Sequence, residues 1–262
     1  MARKLQLFQV WGRGYRPNSG LVSLPAATRL IHVQKGNNIM RRSLRISILA
    51  AGLALAGLAS SAVADGWVGY MNVFNNAAGS QGSYVFGQSW GLSDVKTTVI
   101  TSNPGTIIGD QLRLQPNFNA YTNSLTQTDG DRAFWTDSTD GGVTPGPNGN
   151  KWMEANSFVE TNPVAVTGYT LQGTVDANDL DTNLYSAEAF IKVLDPNASF
   201  ATVLNDRVAL PASGPFVVTS DLSLYQGMIL QTGFTVNGLN ANPVNEAAFG
   251  GVTLTVVPEP AT

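Results

Sequence analysis

The sequence predicts an all-β fold: one β-sandwich, jelly-roll-like, preceded by a secretory signal peptide. Two observations predict the sandwich. Short runs rich in aromatic and β-branched residues recur along the chain, and each is bounded by Gly, Pro, Asn or Asp, the spacing typical of sandwiches and barrels. No run shows a sustained apolar repeat of helical period with caps. The distribution of charge predicts the signal peptide.

The expected strands follow one another through the last three-quarters of the chain. They cover residues 67–74, 95–100, 111–114, 156–160, 169–175, 187–193, 216–219, 228–236 and 252–257. The Ala- and Glu-containing segment 185–192 is expected to be a strand, because its small and apolar residues alternate with Glu188, Phe190 and Lys192. The polar segment 126–150 contains several Gly and Pro residues and is expected to be a loop or a flexible lobe.

The charges divide the chain at Asp65. The residues before Asp65 include nine Lys or Arg and no acid, whereas the rest of the chain holds all 18 acids and six bases, a formal charge of −12. A region this acidic repels phosphate backbones and anionic lipid headgroups. Neither nucleic acid nor a peripheral membrane surface is therefore an expected partner.

Residues 40–64 have the three parts of a secretory signal peptide. A basic start at 40–45 precedes an apolar run from Ile46 to about Ala59, and a small-x-small cleavage site follows. The cleavage residues are Ala62, Ala64 and Asp65. A membrane-spanning helix is disfavoured because the run is shorter than the ~20 residues that a bilayer requires.

Residues 1–39 precede the signal peptide and are expected to be a disordered leader upstream of the true start. The alternative is a basic targeting arm. The only histidine, His32, lies in this stretch, and the chain has no cysteine. The exported region thus lacks the residues for Ser-His-Asp or Cys-His catalysis, imidazole or thiolate zinc sites, and disulfides. With few Glu and no distinctive carboxylate pair, it is predicted to be non-catalytic and to hold no required cofactor.

The chain ends in a motif that follows the last expected strand: Val257, Pro258, Glu259, Pro260, Ala261 and Thr262. Together with the signal peptide, this string resembles PEP-CTERM proteins. In that family the motif precedes a hydrophobic helix and a basic cluster, which an exosortase is thought to recognise and cleave, often in exopolysaccharide-making Gram-negative bacteria. The resemblance implies an exosortase-type partner and a place at the cell surface or outside the cell.

This sequence departs from the family where the hydrophobic helix would begin, because it ends at Thr262. Three alternatives stay open: a truncated sequence, a secreted form without an anchor, or a stiff polyproline-like tail unrelated to sorting. Contact with a membrane is expected only through the signal peptide or the missing helix. The globular region, expected over residues 65–256, also resembles domains of exported PEP-CTERM proteins at 66–74, 86–91, 149–156 and 189–193. That likeness implies a location and no activity.

Two Asp-rich segments are candidate calcium sites, since Ca²⁺ takes six to eight oxygen ligands from such loops. The first contains Asp129, Asp131, Asp137 and Asp140, and the second contains Asp176, Asn178, Asp179 and Asp181. The second segment departs from the calcium-loop template at Leu180 and at Asp181, where the template has glycine. The alternative is that these residues form turns and keep an acidic domain soluble.

Aromatic residues are the candidate glycan-binding groups, because exposed rings stack on the apolar faces of sugars while Asn, Gln and Asp bond to hydroxyls. The candidates are Trp135, Trp152 and Tyr121. Trp135 is expected to be the most exposed, and Trp67 and Trp90 are expected to pack in the core. The sequence therefore predicts an exported, non-catalytic surface or matrix protein associated with exopolysaccharide, or a carbohydrate-binding module with calcium-binding loops.

Overall fold

A computed structural model describes residues 66–103 and 105–257. Within these residues the chain forms eleven strands, which are β1 (Val68–Asn76), β2 (Gln81–Trp90), β3 (Thr97–Asn103), β4 (Thr106–Leu114), β5 (Lys151–Thr161), β6 (Gly168–Asn178), β7 (Tyr185–Asp195), β8 (Ala201–Ala209), β9 (Gly214–Asp221), β10 (Ile229–Leu239) and β11 (Val252–Val256). Three short helices accompany them, α1 (Asn119–Ser124), α2 (Asp129–Trp135) and α3 (Glu246–Phe249).

The strands form two antiparallel sheets that pack as a sandwich. The six-stranded sheet has the order β2-β1-β5-β10-β7-β8, and the five-stranded sheet has the order β3-β4-β11-β6-β9. From β4 to β11 the first strand pairs with the last, the second with the seventh, the third with the sixth and the fourth with the fifth. This nested pairing of eight strands in two sheets is a jelly roll, so the expected fold class is confirmed.

The core lies between the sheets and follows from the alternation along each strand. The side chains of Ala189, Ile191 and Val193 point inward from β7 and are fully buried, and they meet Phe234 of β10 and Leu254 of β11 in one apolar cluster. Removing a Val, Ile, Leu or Phe side chain from water stabilises a fold by about 1.5–3 kcal/mol. Trp67 is 8% exposed and stacks on Phe234 with ring centroids 5.9 Å apart, as expected for a core residue.

A second cluster lies under β1, β2 and β5 at the side of the six-stranded sheet where α1 and α2 are found. Met71, Val73 and Met153 are buried there, and the partly buried rings of Trp90 and Trp135 pack against them. The prediction that segment 126–150 is a loop or a flexible lobe is thus wrong in part, because this segment contains α2. Thr128 caps α2 by accepting a hydrogen bond from the backbone N–H of Asp131, whose carboxylate in turn accepts from the Thr128 backbone.

Sequence reasoning missed β2 and β8, which are the two edges of the six-stranded sheet. An edge strand pairs on one side only and keeps much of its surface in water, so it lacks the buried alternation that marks a central strand. β2 is exposed at most positions and contains Gly82 and Gly87, and β8 carries Asn205 and Asp206 in its middle.

Several predictions lie outside the described residues. These are the leader at 1–39, the signal peptide at 40–64 with Ala62, Ala64 and Asp65, and residues Pro258 to Thr262 of the sorting motif. Val257 is described, and its backbone N–H donates to the carbonyl of Gln172 at 3.1 Å. Among the described helices, none has the length and apolar character needed to cross a membrane.

Candidate ligand-binding face

The six-stranded sheet has an outer face that points away from the five-stranded sheet. Because partners in an antiparallel ladder point to the same side, the register places side chains of all six strands on this face. One cross-strand row consists of Tyr84, Phe74 and Trp152, on β2, β1 and β5. The next row consists of Asn72, Glu154 and Asn237, on β1, β5 and β10.

The first row is aromatic and accessible. Tyr84 is 59% exposed, and Phe74 and Trp152 are half-buried. The Phe74 and Tyr84 rings meet edge to face with centroids 5.6 Å apart. Polar atoms border this row at Gly87, where a Cβ would lie 2.6–2.9 Å from Oδ1 of Asn72 and from the hydroxyls of Tyr84 and Tyr70. The face therefore combines ring surfaces with clustered hydroxyl and amide groups.

An ionic network lies beside the aromatic row. The Arg207 guanidinium donates to Glu154 at 2.5 Å and to Glu188 at 3.1 Å. Asn72 donates to the other oxygen of Glu154 at 2.7 Å, and Asn237 donates to Glu188 at 3.4 Å. All three charged side chains are less than a third exposed, so water screens their interactions less than it screens surface pairs.

Arg207 reaches Glu154 across the outer face. Arg207 lies on the edge strand β8, and Glu154 lies on β5 beyond two intervening strands. Neighbouring strands are about 4.8 Å apart, so in a flat sheet these two backbones would be about 14 Å apart. Their contact therefore joins the edge of the sheet to its middle, across β7 and β10.

Two buried phenylalanines lie on the outer face, and cations cover one of them. Phe158 and Phe190 flank Gly233 in the register, with ring centroids 6.4 Å apart. The ammonium of Lys192 lies 4.9 Å from the Phe190 centroid, and the guanidinium of Arg207 lies 5.8 Å from it. This cation–π packing leaves Phe190 fully buried although it does not face the sandwich core.

The network fixes the charge state of its carboxylate. Burial opposes the ionisation of Glu154, but the hydrogen bond and charge of Arg207, helped by Lys192 and Asn72, lower its pKa below the ordinary value. Burial also lowers the pKa of Lys192, against the opposing effect of Glu154. Glu154 is therefore an anion at neutral pH and acts as a hydrogen-bond acceptor.

Of the predicted glycan-binding residues, Trp152 lies on the outer face and the other two do not. Trp135 is the last residue of α2, and its partly buried ring packs against Phe86 and Trp90 on the opposite side of the sheet. Trp135 is thus less exposed than expected. Tyr121 is 4% exposed and donates its hydroxyl hydrogen to the Gly146 carbonyl at 2.7 Å, so its ring is not accessible for stacking.

The four Asp side chains of the first Asp-rich segment accept hydrogen bonds from nearby residues. Asp129 pairs with Arg132, and Asp131 serves the cap of α2. Asp137 accepts from the backbone and side chain of Asn148. Asp140 accepts from Ser138 and from the Thr144 backbone, hydrogen bonds that lower its pKa to about 2.

The second segment belongs to the end of β6 and the turn after it. Asp176 accepts from Gln111 and Thr255, and Asp179 accepts from the Gly251 backbone and lies 3.6 Å from Arg113. The Asn178 side chain donates to the Pro211 carbonyl, and Asp181 accepts from Asn183. Over residues 66–103 and 105–257, neither segment gathers three acidic side chains into a group that could hold a metal ion.

Sequence reasoning missed most of the outer face, including Tyr84, Asn72, Glu154 and Arg207. A signal was present in β5, where Trp152, Glu154, Asn156 and Phe158 alternate with Met153, Ala155 and Ser157. This period of two places aromatic and polar residues on one face. The expected strand began at residue 156 and therefore left out Trp152 and Glu154.

Comparison of the chain with protein-family models, with curated proteins and with solved structures found no match.

Proposed function

We propose that this chain is an exported, non-catalytic protein of the cell surface or extracellular matrix, and that its sandwich associates with exopolysaccharide through the outer face of the six-stranded sheet. The observation that carries the proposal is the aromatic row Tyr84, Phe74 and Trp152 beside the polar row Asn72, Glu154 and Asn237. Rings stack on the apolar face of a sugar, and amides and carboxylates bond to its hydroxyls.

The chemistry of the network supports binding over catalysis. Glycoside hydrolysis requires one carboxyl that stays protonated to donate to the leaving group. Glu154 has the opposite property, because Arg207 lowers its pKa. Glu188 also pairs with Arg207. The two carboxylates are therefore arranged to accept hydrogen bonds.

The location in this proposal rests on the sequence. The signal peptide at 40–64 supports export, and the resemblance of Val257–Thr262 to a PEP-CTERM motif supports an exosortase-type enzyme as partner. An acidic, cysteine-free sandwich has a core large enough to fold without disulfides. Export predicts that the protein recovered outside the cytoplasm starts at Asp65. Mass spectrometry checks this, and an intact amino terminus upstream of Met40 would contradict it.

Polysaccharide binding is tested with a substitution at the exposed end of the aromatic row. Affinity electrophoresis of the exported protein in gels containing dextran, hydroxyethylcellulose or alginate measures retardation by each polymer. Tyr84→Ala is expected to lower the affinity for whichever polymer retards the wild type about tenfold, the effect of losing ~1.4 kcal/mol of stacking. Phe200→Ala is the matched control, because Phe200 is 40% exposed on the turn before β8. Equal retardation of both variants would refute the assigned face.

A further inference from the structure

The middle of the outer face contains a buried polar pair. Tyr70, Asn156, Thr235 and Glu188 form one cross-strand row on β1, β5, β10 and β7. Asn156 is 1% exposed and Thr235 is fully buried. Among the described residues, only three buried side-chain polar atoms lack a hydrogen-bond partner, and two of them are Oδ1 of Asn156 and Oγ1 of Thr235. The third is Nε1 of Trp90, in the cluster on the opposite side of the sheet.

The hydrogen bonds of Asn156 determine what its free oxygen requires. Its Nδ2 donates to the backbone carbonyls of Glu154 at 3.0 Å and of Tyr70 at 3.4 Å. Since both partners are carbonyl oxygens, the amide orientation is set and Oδ1 is left as an acceptor. The Thr235 hydroxyl is a donor and an acceptor. A buried polar group without a partner costs about 1–3 kcal/mol.

One hydroxyl group complements both atoms. Asn156 and Thr235 are directly opposite in the ladder, where Cβ atoms lie about 4.5–5.5 Å apart. An O–H group between them donates to Oδ1 of Asn156 and accepts the hydrogen of Oγ1 of Thr235. Both atoms are buried, so a ligand hydroxyl reaches them only when the flanking side chains of Tyr70 and Glu188 move aside.

The surrounding charges select the class of ligand. Arg207 is already bonded to Glu154 and Glu188, and the region from Asp65 onward carries a formal charge of −12. A uronic acid or a sulfated sugar would bring its anion beside these two carboxylates, and the Lys192 ammonium on the same face already lies over the Phe190 ring and interacts with Glu154. Repulsion of like charge therefore disfavours acidic polymers.

We infer that Asn156 and Thr235 form a hydroxyl-binding position at the centre of the outer face, and that this position selects a neutral, hydroxyl-rich polysaccharide over an acidic one. This inference rests on the proposed function, because it names the class of polymer that the face binds. Water carries the same O–H chemistry, so the test must separate a ligand hydroxyl from a bound water.

The test compares three variants of the exported protein by affinity electrophoresis in dextran, hydroxyethylcellulose and alginate. Thr235→Val keeps the shape of the side chain and removes its hydroxyl. This variant is expected to have about fivefold lower affinity for the neutral polymer, the effect of losing one hydrogen bond. Thr235→Ser restores the hydroxyl and should bind like the wild type. Thr98→Val, at an exposed position on β3 of the other sheet, is the matched control and should also leave binding unchanged.

Thermal unfolding separates a folding defect from a binding defect. Thr235→Val should melt no lower than the wild type, because it replaces an unpartnered hydroxyl by a methyl group of the same size. The inference is supported if a neutral polymer retards the wild type and alginate does not, and if Thr235→Val lowers the affinity for the neutral polymer.

Three other outcomes would overturn it, and they differ in what they leave standing. If Tyr84→Ala weakens binding and Thr235→Val does not, water fills the position and the proposed function survives alone. If alginate is bound as well as the neutral polymers, the selectivity is wrong. If the wild-type protein is retarded by none of the three polymers, the proposed function fails together with the inference.

Discussion

Arg207 joins carboxylates from β5 and β7 to the edge strand β8, and its removal leaves Glu154 and Glu188 half-buried without their cation. Breaking a fully buried pair costs about 3–5 kcal/mol. With side chains 16–28% exposed, Arg207→Met is expected to cost about 2–3 kcal/mol of unfolding free energy, measured by urea denaturation. In a double-mutant cycle with Glu154→Gln, a coupling energy of about 1 kcal/mol or more is expected. Additive effects would show that the network is not energetically coupled.

Glu154 also makes stability depend on pH. Its pKa is lowered in the folded protein from the ordinary value of 4.5, because Arg207 outweighs the effect of burial. The unfolded chain therefore takes up a proton at higher pH than the folded chain. The stabilisation is full above about pH 4.5 and is lost as the pH falls through the lower folded pKa.

Glu154→Gln removes this contribution. The unfolding free energy of the variant should consequently fall less steeply than that of the wild type between about pH 5 and pH 3. Asp140 and Asp221, whose pKa values are also lowered, are the same in both proteins and cancel in the comparison. Parallel curves across this interval would show that Glu154 titrates alike in the folded and unfolded chains.

Among the elements, the five-stranded sheet and the central strands of the six-stranded sheet were predictable from the sequence, and the edges of the six-stranded sheet were not. Segments 169–175, 187–193 and 228–236 lie within or overlap β6, β7 and β10, because strands buried between neighbours carry a clear apolar alternation. β2 and β8 have one neighbour each and lack that pattern. α2 was missed because seven residues are too few for a helical period, and its capping box has Asp131 in place of the usual Glu or Gln.

The outer face was harder to predict than the core for a related reason. Its residues come from six strands and are far apart in the sequence, as Asn72 is from Glu154 and Glu154 is from Arg207. Only the register brings them together. Local spacing instead predicted calcium sites in the Asp-rich segments. In the structure, carboxylates of these segments accept hydrogen bonds from neighbouring turns.

Strand β10 depends on Gly233 at its centre. A Cβ at this position would overlap the Ser157 carbonyl oxygen and lie 2.6 Å from Cα of Phe158. Because these are backbone atoms of the paired strand, Gly233→Ala must displace β5 and is expected to cost about 1–3 kcal/mol, measured by urea denaturation. Gly168→Ala is the matched control, since the nearest atom to its Cβ is 3.6 Å away. Equal stability of the two variants would show that β5 can move to accommodate the added Cβ without a cost in free energy.

For the molecule as a whole, the jelly roll separates the faces that form the core from the face that is proposed to bind a ligand. The inner faces form one apolar core, and α1 and α2 accompany the second cluster under β1, β2 and β5. This arrangement leaves the outer face of the six-stranded sheet outside the sandwich core. Its aromatic and polar rows are the part of the fold on which the proposed association with polysaccharide depends.

The most direct test of that association is an NMR titration of the ¹⁵N-labelled exported protein with the neutral polymer that retards it. We expect the amide shifts that change to belong to β2, β1, β5, β10 and β7, centred on residues near Trp152 and Thr235. Changes centred on the five-stranded sheet or on α2, or no changes at saturating polymer, would contradict it.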